Sequence, residues 1–268
     1  MRDYKIYKYD DLNIGYFEQN NSKDKTLLFV HGFSSDYNYF DKVFEYFAND
    51  YNFVGINMPI HGNSQFHKNK INLLYFKQVL ENFIKNQKYD NLTIIGHSMG
   101  GGLAMMVADQ LNSYIEKIVL VGPMTKAGLS KVEEFEECFF PRNFEEYKKL
   151  VHLCYYNPQK FLETPHLKEK MDNYFNNNQE KLNYIYQLGH SLPNLENMNA
   201  IELGMKNFKK PVAVFYGESD GIVPVEEFPN YYKDYSNFKL YKIEKSGHSI
   251  WLENYNDFVF RLEEFLKI

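Results

Sequence analysis

The chain has 268 residues, of which 44% are hydrophobic and 24% charged, the composition of a globular protein. Its formal net charge of −5 gives no reason to expect nucleic acid as a partner. No stretch approaches the roughly 18 apolar residues of a membrane span, and the first residues lack the apolar core of a secretion signal. We therefore expect a soluble, cytoplasmic protein without an integral membrane segment, in which Cys138 and Cys154 are free thiols.

Short apolar runs alternate with segments of helical period through the first half of the chain. The apolar runs predict strands at Tyr4–Tyr9, Asn13–Glu18, Thr26–Val30, Tyr51–Asn57, Asn91–Gly96 and Ile115–Gly122. Apolar residues at helical spacing predict helices around Phe40–Phe47, Leu73–Ile84 and Met99–Leu111. Repeated strand–helix alternation favours an α/β fold with a parallel sheet and helices on both faces.

The alternation stops from about Met124 to Met205, where the periodicity is helical and no strand is predicted. It resumes with strands at Lys210–Gly217 and Phe238–Glu244 and a C-terminal amphipathic helix. The sequence therefore predicts one α/β core, residues 1–123 and 206–268, with a helical cap inserted at residues 124–205.

A serine between glycines follows the strand at Asn91–Gly96. The segment Gly96–Gly100 reads Gly-His-Ser-Met-Gly, and its serine is Ser98. Such a cluster forms either a tight turn in which Ser98 caps the next helix, or a nucleophile elbow that exposes the serine hydroxyl. The pattern alone is weak, but a strand before it and a helix after it favour the elbow. The start of that helix would direct unpaired N–H groups at the reacting atoms.

Two residues further along the chain stand where a serine nucleophile needs them. A base must take the proton of the serine, and a carboxylate must orient the base. Asp220 follows one late strand in a Gly-rich turn, and His248 lies in a loop past the last strand. Each alone has a structural interpretation, as a turn residue or an ordinary histidine. Because ligands bind at the carboxyl ends of strands in open α/β sheets, their joint placement favours a catalytic triad of Ser98, Asp220 and His248.

An acyl-transfer site also needs N–H donors for the oxyanion of the tetrahedral intermediate. The backbone N–H of Met99, directly after Ser98, is one candidate. The second is the backbone N–H of Phe33 in the loop after the third strand, where Gly32 permits a tight bend and His31 is interpreted as structural. Neither a cofactor nor a metal ion is predicted.

Four segments in this order resemble motifs of the α/β-hydrolase superfamily, especially its capped esterase/lipase-like members. They are Phe29–Phe33, Gly96–Gly101, Gly217–Pro224 and Ser246–Glu253. The resemblance implies an eight-stranded, mostly parallel sheet with the cap inserted after the sixth strand, and it matches Ser98, Asp220 and His248 to the triad positions. A fifth segment, Asn57–Gln65, resembles the D-x-P-G-x-G-x-S loop of the family, with Asn57 and Ile60 in place of Asp and Gly.

The expected activity is that of a serine hydrolase, a carboxylesterase or lipase that cleaves short to medium acyl esters through an acyl-enzyme. Serine as nucleophile argues against epoxide hydrolases and haloalkane dehalogenases, which resemble this fold but use aspartate. Alternatives are a carbon–carbon bond hydrolase, a thioesterase, an aminopeptidase or a non-catalytic small-ligand receptor. Met99 replaces the tryptophan typical of proline iminopeptidase relatives. His97 replaces the asparagine usual in carbon–carbon hydrolases, but Arg142 in the predicted cap keeps that alternative open.

The predicted cap is rich in aromatic residues that bear on the substrate. We expect about two-thirds of them to pack within the cap and the others to line a pocket for an acyl chain. The expected partner is a small-molecule ester with an apolar acyl group. The residues are Phe135, Phe139, Phe140, Tyr155, Tyr156, Phe161, Tyr174 and Tyr184.

Overall fold

An eight-stranded sheet forms the centre of the computed structural model, which describes residues 3–268. Its strands are β1 (Asp3–Tyr9), β2 (Leu12–Gln19), β3 (Thr26–Val30), β4 (Asn52–Ile56), β5 (Leu92–His97), β6 (Ile115–Val121), β7 (Val212–Gly217) and β8 (Phe238–Ile243). Their order in the sheet is β1-β2-β4-β3-β5-β6-β7-β8, and β2 pairs antiparallel with both of its neighbours while the other pairs are parallel. The expected eight-stranded, mostly parallel sheet is confirmed.

The central strands are buried along their whole length. Every residue of β3, β5 and β7 is buried, because helices cover both faces of the sheet and the strands are continuous apolar runs. By contrast, β1 alternates exposed and half-buried residues at the edge of the sheet. The central strands therefore provide a rigid platform, and their carboxyl ends carry the loops of interest.

The helices also follow the predicted alternation. They are α1 (Asp41–Tyr46), α2 (Leu73–Gln87), α3 (Met99–Ala108), α4 (Val132–Cys138), α5 (Phe144–Cys154), α6 (Pro158–Leu162), α7 (Leu167–Asn177), α8 (Gln179–Ser191), α9 (Leu195–Asn207), α10 (Phe228–Tyr231), α11 (Ile250–Glu253) and α12 (Tyr255–Lys267). Two 3-10 helices span Tyr37–Phe40 and Lys126–Lys131. The first predicted helix is thus divided, and Asp36 caps its 3-10 part by accepting from the N–H of Asn38 at 2.8 Å.

Two apolar clusters cover the two faces of the sheet. One contains the buried residues of α2 and α3, and the other contains those of α1 and α12. This arrangement confirms helices on both faces.

Between β6 and β7 the chain forms one 3-10 helix and the six helices α4–α9, with no strand in this described segment. We call α4–α9 the insertion helices. The last of them, α9, packs on α3 through Gly204, where an added Cβ would overlap the carbonyl oxygen of Met105. Within residues 3–268, no helix has the length and apolarity that crossing a membrane requires. The cap boundaries at residues 124 and 205 stay a prediction, as does the core range, of which Met1 and Arg2 lie outside the described residues.

Candidate active site

Ser98 occupies a strained turn between β5 and α3. Its backbone adopts φ 52° and ψ −117°, a conformation that side-chain-bearing residues rarely take and that is often found at functional sites. The turn is possible because the residues two positions before and after Ser98 are glycines. A Cβ at Gly96 would overlap the carbonyl oxygen of Gly100, and one at Gly100 would overlap that of Val30. The N–H of Ser98 donates to the carbonyl of Val121 at 2.9 Å, which ties the turn to the end of β6.

Asp220 and His248 form a buried pair on the loops after β7 and β8. His248 Nδ1 lies 2.7 Å from Asp220 Oδ2, and the other carboxylate oxygen accepts from the N–H of Ile222 at 2.9 Å and of Val223 at 3.3 Å. Both side chains are almost completely inaccessible. Because the carboxylate accepts the Nδ1 proton, Nε2 of the neutral imidazole is left as an acceptor.

The structure brings the three residues together at the carboxyl end of the sheet, beside the cavity that Ser98 and His248 line. Ser98 and His248 both contribute to its wall, and Asp220 contacts His248 from behind. Among the residues that the structure describes, no hydrogen bond joins Ser98 to His248. Such catalytic bonds are often long before a substrate is present.

Gly122, directly after β6, allows the pair to lie this close to the sheet. It adopts φ +50°, and an added Cβ would lie 3.0 Å from His248 Nδ1 and 3.2 Å from Asp220 Oδ2. A side chain there would push against both groups. The sequence analysis missed this residue, although its position at the carboxyl end of a central strand was the available signal.

The Phe33 loop is held in place by a histidine that the sequence analysis also missed. His61 Nε2 accepts from the N–H of Ser34 at 3.1 Å, directly after Phe33. Outside the helices and strands of residues 3–268, neither the N–H of Phe33 nor that of Met99 donates to a backbone carbonyl, so both stay candidates for the oxyanion. Burial lowers the pKa of His61 well below the ordinary histidine value, which keeps it a neutral acceptor.

His31 has the structural role that was expected. Its Nε2 accepts from the N–H of Met58 at 3.0 Å, and its Nδ1 lies 2.7 Å from the carbonyl oxygen of Gly32. Complete burial lowers the pKa of His31 to about 4. The imidazole therefore joins the β3 and β4 loops as a neutral group.

The loop after β4 departs from the family pattern in sequence and keeps a sharp turn. Ile60, which replaces the expected glycine, adopts φ 70° although its side chain is fully buried. Asn57, which replaces the expected aspartate, accepts from the N–H of Tyr37 at 3.0 Å through Oδ1. The neutral amide of Asn57 therefore accepts this backbone hydrogen bond at the position where the family pattern has a carboxylate.

His97, the residue before Ser98, fixes the backbone of the candidate base. Its Nε2 donates to the carbonyl oxygen of His248 at 3.1 Å, and the two ring centroids are 4.7 Å apart. Burial lowers the pKa of His97 well below the ordinary value, so the ring stays neutral beside His248.

The C-terminal end of α5 contacts both loops that carry the pair. The carbonyl of Leu153 accepts from the N–H of Gly221 at 3.1 Å, and that of Cys154 accepts from the N–H of His248 at 2.6 Å. Glu253 strengthens this joint, since its carboxylate accepts from the N–H groups of Gly247 (2.7 Å), Tyr156 (3.1 Å) and Asn157 (2.9 Å). We call residues 153–157 the joint segment.

Two cavities meet at Ser98. The larger has a volume of about 750 Å³, opens to solvent and has a mixed polar and aromatic wall. The smaller has a volume of about 60 Å³ and an apolar wall. The smaller cavity is lined by Phe33, Met99, Met124, Leu129, Val132, Phe135, Phe139 and Met198, among others.

Four of the eight aromatic residues named in the predicted cap line a cavity, so fewer than the expected two-thirds pack within the cap. Phe135, Phe139, Tyr155 and Tyr174 line one or both cavities, whereas Tyr156 is exposed. Arg142 is also exposed, where it donates to Asn183 Oδ1 at 2.9 Å, and it is not among the lining residues in the described chain. Both cysteines are free thiols, as expected.

Sequence comparison finds a matching family model and similar proteins. A family model described as alpha/beta hydrolase fold matches residues 25–153. A Mycoplasma pneumoniae protein named "Putative esterase/lipase 2" is 28% identical over 235 residues, which are 85% of this chain and 83% of that protein. The chain has the α/β-hydrolase fold and is similar to an esterase/lipase-like protein over most of its length. Its similarity to that protein indicates a hydrolase related to esterases and lipases.

Solved α/β-hydrolase structures share the whole fold. A membrane phospholipase A superposes with a TM-score of 0.84 at 19% identity, covering 99% of this chain and 86% of the other. An esterase from Exiguobacterium antarcticum superposes with a TM-score of 0.74 at 18% identity and full coverage of both chains. At these identities the similarity establishes the fold alone.

Proposed function

We propose that the chain is a serine hydrolase that cleaves carboxylic esters with short to medium acyl groups through an acyl-enzyme intermediate. The observation that carries the proposal is the strained Ser98 beside a buried Asp220–His248 pair whose Nδ1–Oδ2 distance is 2.7 Å. We also propose that residues 124–205 act as a cap over this site. The similarity to esterase/lipase proteins supports the proposed reaction class.

In the proposed mechanism, Ser98 Oγ attacks the ester carbonyl while its proton passes to His248 Nε2. Asp220 holds the imidazole in the required tautomer and stabilises the imidazolium. The N–H groups of Phe33 and Met99 bind the oxyanion of the tetrahedral intermediate. The imidazolium then protonates the leaving alcohol, and a water molecule activated by His248 hydrolyses the acyl-enzyme.

The substrate is proposed to be a small-molecule ester with an apolar acyl group. The apolar cavity beside Ser98 supports this choice, because a hydrocarbon chain loses contact with water there. A carbon–carbon hydrolase that uses a cap arginine has less support, since Arg142 is exposed and points its guanidinium at Asn183.

A panel of p-nitrophenyl esters of increasing chain length tests the proposal on wild type and Ser98→Ala. We expect wild type to hydrolyse the shorter esters and Ser98→Ala to lose at least about a thousandfold in kcat. A Ser130→Ala variant, which changes a serine on the insertion surface, is the matched control. Turnover that survives in Ser98→Ala, or that is absent on every ester and thioester, would contradict a serine esterase; the second result would favour a receptor.

A further inference from the structure

Three hydroxyl groups from distant parts of the chain meet in the larger cavity. Tyr39 Oη lies 3.0 Å from Tyr155 Oη and 2.8 Å from Ser249 Oγ. All three residues line the cavity that also contains Ser98 and His248. Burial raises the pKa of both tyrosines, so their phenols keep their protons at neutral pH. We call this group the hydroxyl trio.

The hydroxyl trio has hydrogen-bonding capacity left over. Each hydroxyl can donate once and accept twice. The contacts within the trio use two or three of its three protons, since Tyr155 and Ser249 also interact, and the oxygen atoms keep unused lone pairs. A hydroxyl group on a ligand can both donate and accept, so it fits the trio in any arrangement of the protons. A hydrocarbon group at the same place would leave these buried polar groups without a further partner.

The position of the trio indicates which part of an ester would reach it. Ser249 directly follows His248, which in the proposed mechanism gives its proton to the leaving alcohol. The trio and His248 line the same larger cavity, so we expect the alcohol part there. The acyl part is left for the smaller cavity of about 60 Å³, whose wall is apolar. Apolar cavities of about 150 Å³ hold benzene, so the smaller one suits an acyl group of about two to four carbons.

We propose that Tyr39, Tyr155 and Ser249 form a subsite for a hydroxyl group on the alcohol part of the substrate. The inference rests on the proposed esterase function and narrows it. The substrate class is a short-chain carboxylic ester of a diol or polyol, in which one oxygen carries the acyl group and a neighbouring carbon carries a free hydroxyl.

Two esters of nearly the same size test the subsite directly. In 2-hydroxyethyl butyrate the terminal hydroxyl replaces the terminal methyl of n-propyl butyrate. We expect wild type to show a kcat/KM ratio of about five- to tenfold in favour of the hydroxyethyl ester, the size of one added hydrogen bond. A triple variant, Tyr39→Phe, Tyr155→Phe and Ser249→Ala, removes the three oxygen atoms and keeps both rings, and its ratio should fall to about one.

Each variant carries its own control, because turnover of the propyl ester shows that the protein is folded. If the triple variant does not fold, Tyr39→Phe alone should reduce the ratio at least about twofold. Tyr147→Phe removes a hydroxyl from the same cavity wall outside the trio, and its ratio should stay at the wild-type value.

Failure of the subsite and failure of the esterase function give different results. Hydrolysis of both esters with a ratio near one in wild type would overturn the subsite and leave the esterase function standing. An equal loss of preference in Tyr147→Phe and in the triple variant would also overturn it. If wild type hydrolyses neither these esters nor any p-nitrophenyl ester, the esterase function fails and the subsite fails with it.

Discussion

The larger cavity at Ser98 has two walls, and different interactions hold each of them in place. On the sheet side, polar groups are buried and fixed by short bonds, such as Asp220 to His248 at 2.7 Å and His97 to the His248 carbonyl at 3.1 Å. On the side of the insertion helices, the wall is mainly aromatic and apolar, and charged residues pair at the surface, as in Lys168 and Asp172. Such exposed pairs contribute only about 0–1 kcal/mol each.

The difference separates chemistry from selection of the substrate. Buried polar networks tolerate little change, since an unpaired group in them costs a full desolvation penalty. Apolar walls tolerate changes of size more easily. Apart from the hydroxyl trio, substitutions on the sheet side should therefore lower kcat, whereas substitutions on the insertion side should change which ester is preferred.

The largest effect is expected from Asp220→Asn. The remaining amide oxygen can still accept from the Ile222 N–H, but the NH₂ group would face His248 Nδ1 and impose the wrong tautomer. We expect kcat to fall by about 10⁴-fold with a Tm close to wild type. Rates of ester hydrolysis at saturating substrate give kcat, and thermal unfolding gives Tm. Asp50→Asn, at an exposed site, is the control, and near-wild-type activity of Asp220→Asn would place the acid elsewhere.

The buried histidines predict a loss of stability in mild acid. The pKa of His31 is lowered to about 4, and those of His61 and His97 are lowered well below 6.5, so the unfolded chain binds more protons between about pH 6.5 and 4. The free energy of unfolding should therefore fall as pH drops through this window, by about 3 kcal/mol for His31 alone.

Urea unfolding at a series of pH values measures this fall. His61→Gln keeps an acceptor for Ser34 but cannot titrate, so its stability should depend less steeply on pH than that of His152→Gln, which changes an exposed histidine. Equal slopes in the two variants would show that His61 titrates normally in the folded state.

Gly122→Ala tests the close approach of the Asp220–His248 pair to the sheet. The new Cβ would stand 3.0 Å from His248 Nδ1 on a backbone at φ +50°, so the imidazole must shift. A small displacement of a catalytic group costs about a hundredfold in kcat. The control is Ser130→Ala, which places an alanine at an exposed position of the insertion. If the two alanine variants have the same kcat, the pair does not depend on Gly122.

The smallest effect is expected from Leu129→Ala, which enlarges the apolar cavity on the insertion side. In the variant, the p-nitrophenyl ester that gives the highest kcat/KM should have a longer acyl chain than in wild type. The kcat/KM for the longer ester, relative to that for the shorter one, should rise several-fold. Leu195→Ala, at a leucine that is 63% exposed, should keep the wild-type optimum. An unchanged optimum in Leu129→Ala would mean that the acyl chain lies elsewhere.

The sheet and the meeting of the three loops were predictable because they depend on local patterns. Buried parallel strands are continuous apolar runs, and loops after such strands converge at one edge, which brings Asp220 and His248 within 2.7 Å. The roles of these residues in catalysis stay predictions.

The hydroxyl trio and the need for a glycine at position 122 could not be predicted, because they depend on tertiary contacts that leave no local pattern in the sequence. Tyr155 is 116 positions from Tyr39, and in the sequence it is one aromatic residue among many in the insertion. The contact between Tyr155 and Tyr39 could be identified only from the three-dimensional path of the chain after α5. Similarly, the requirement for a glycine at position 122 arises from side chains on two other loops.

The joint segment has a consequence for engineering. Residues 153–157 lie in the insertion, yet their backbone binds the loops of Asp220 and His248 and the carboxylate of Glu253. A chimaera that exchanges the insertion for one from another hydrolase would remove this support along with the substrate pocket. A chimaera that keeps residues 153–157 and replaces the rest of the insertion helices would gain a new substrate specificity. The loops of Asp220 and His248 would keep their contacts.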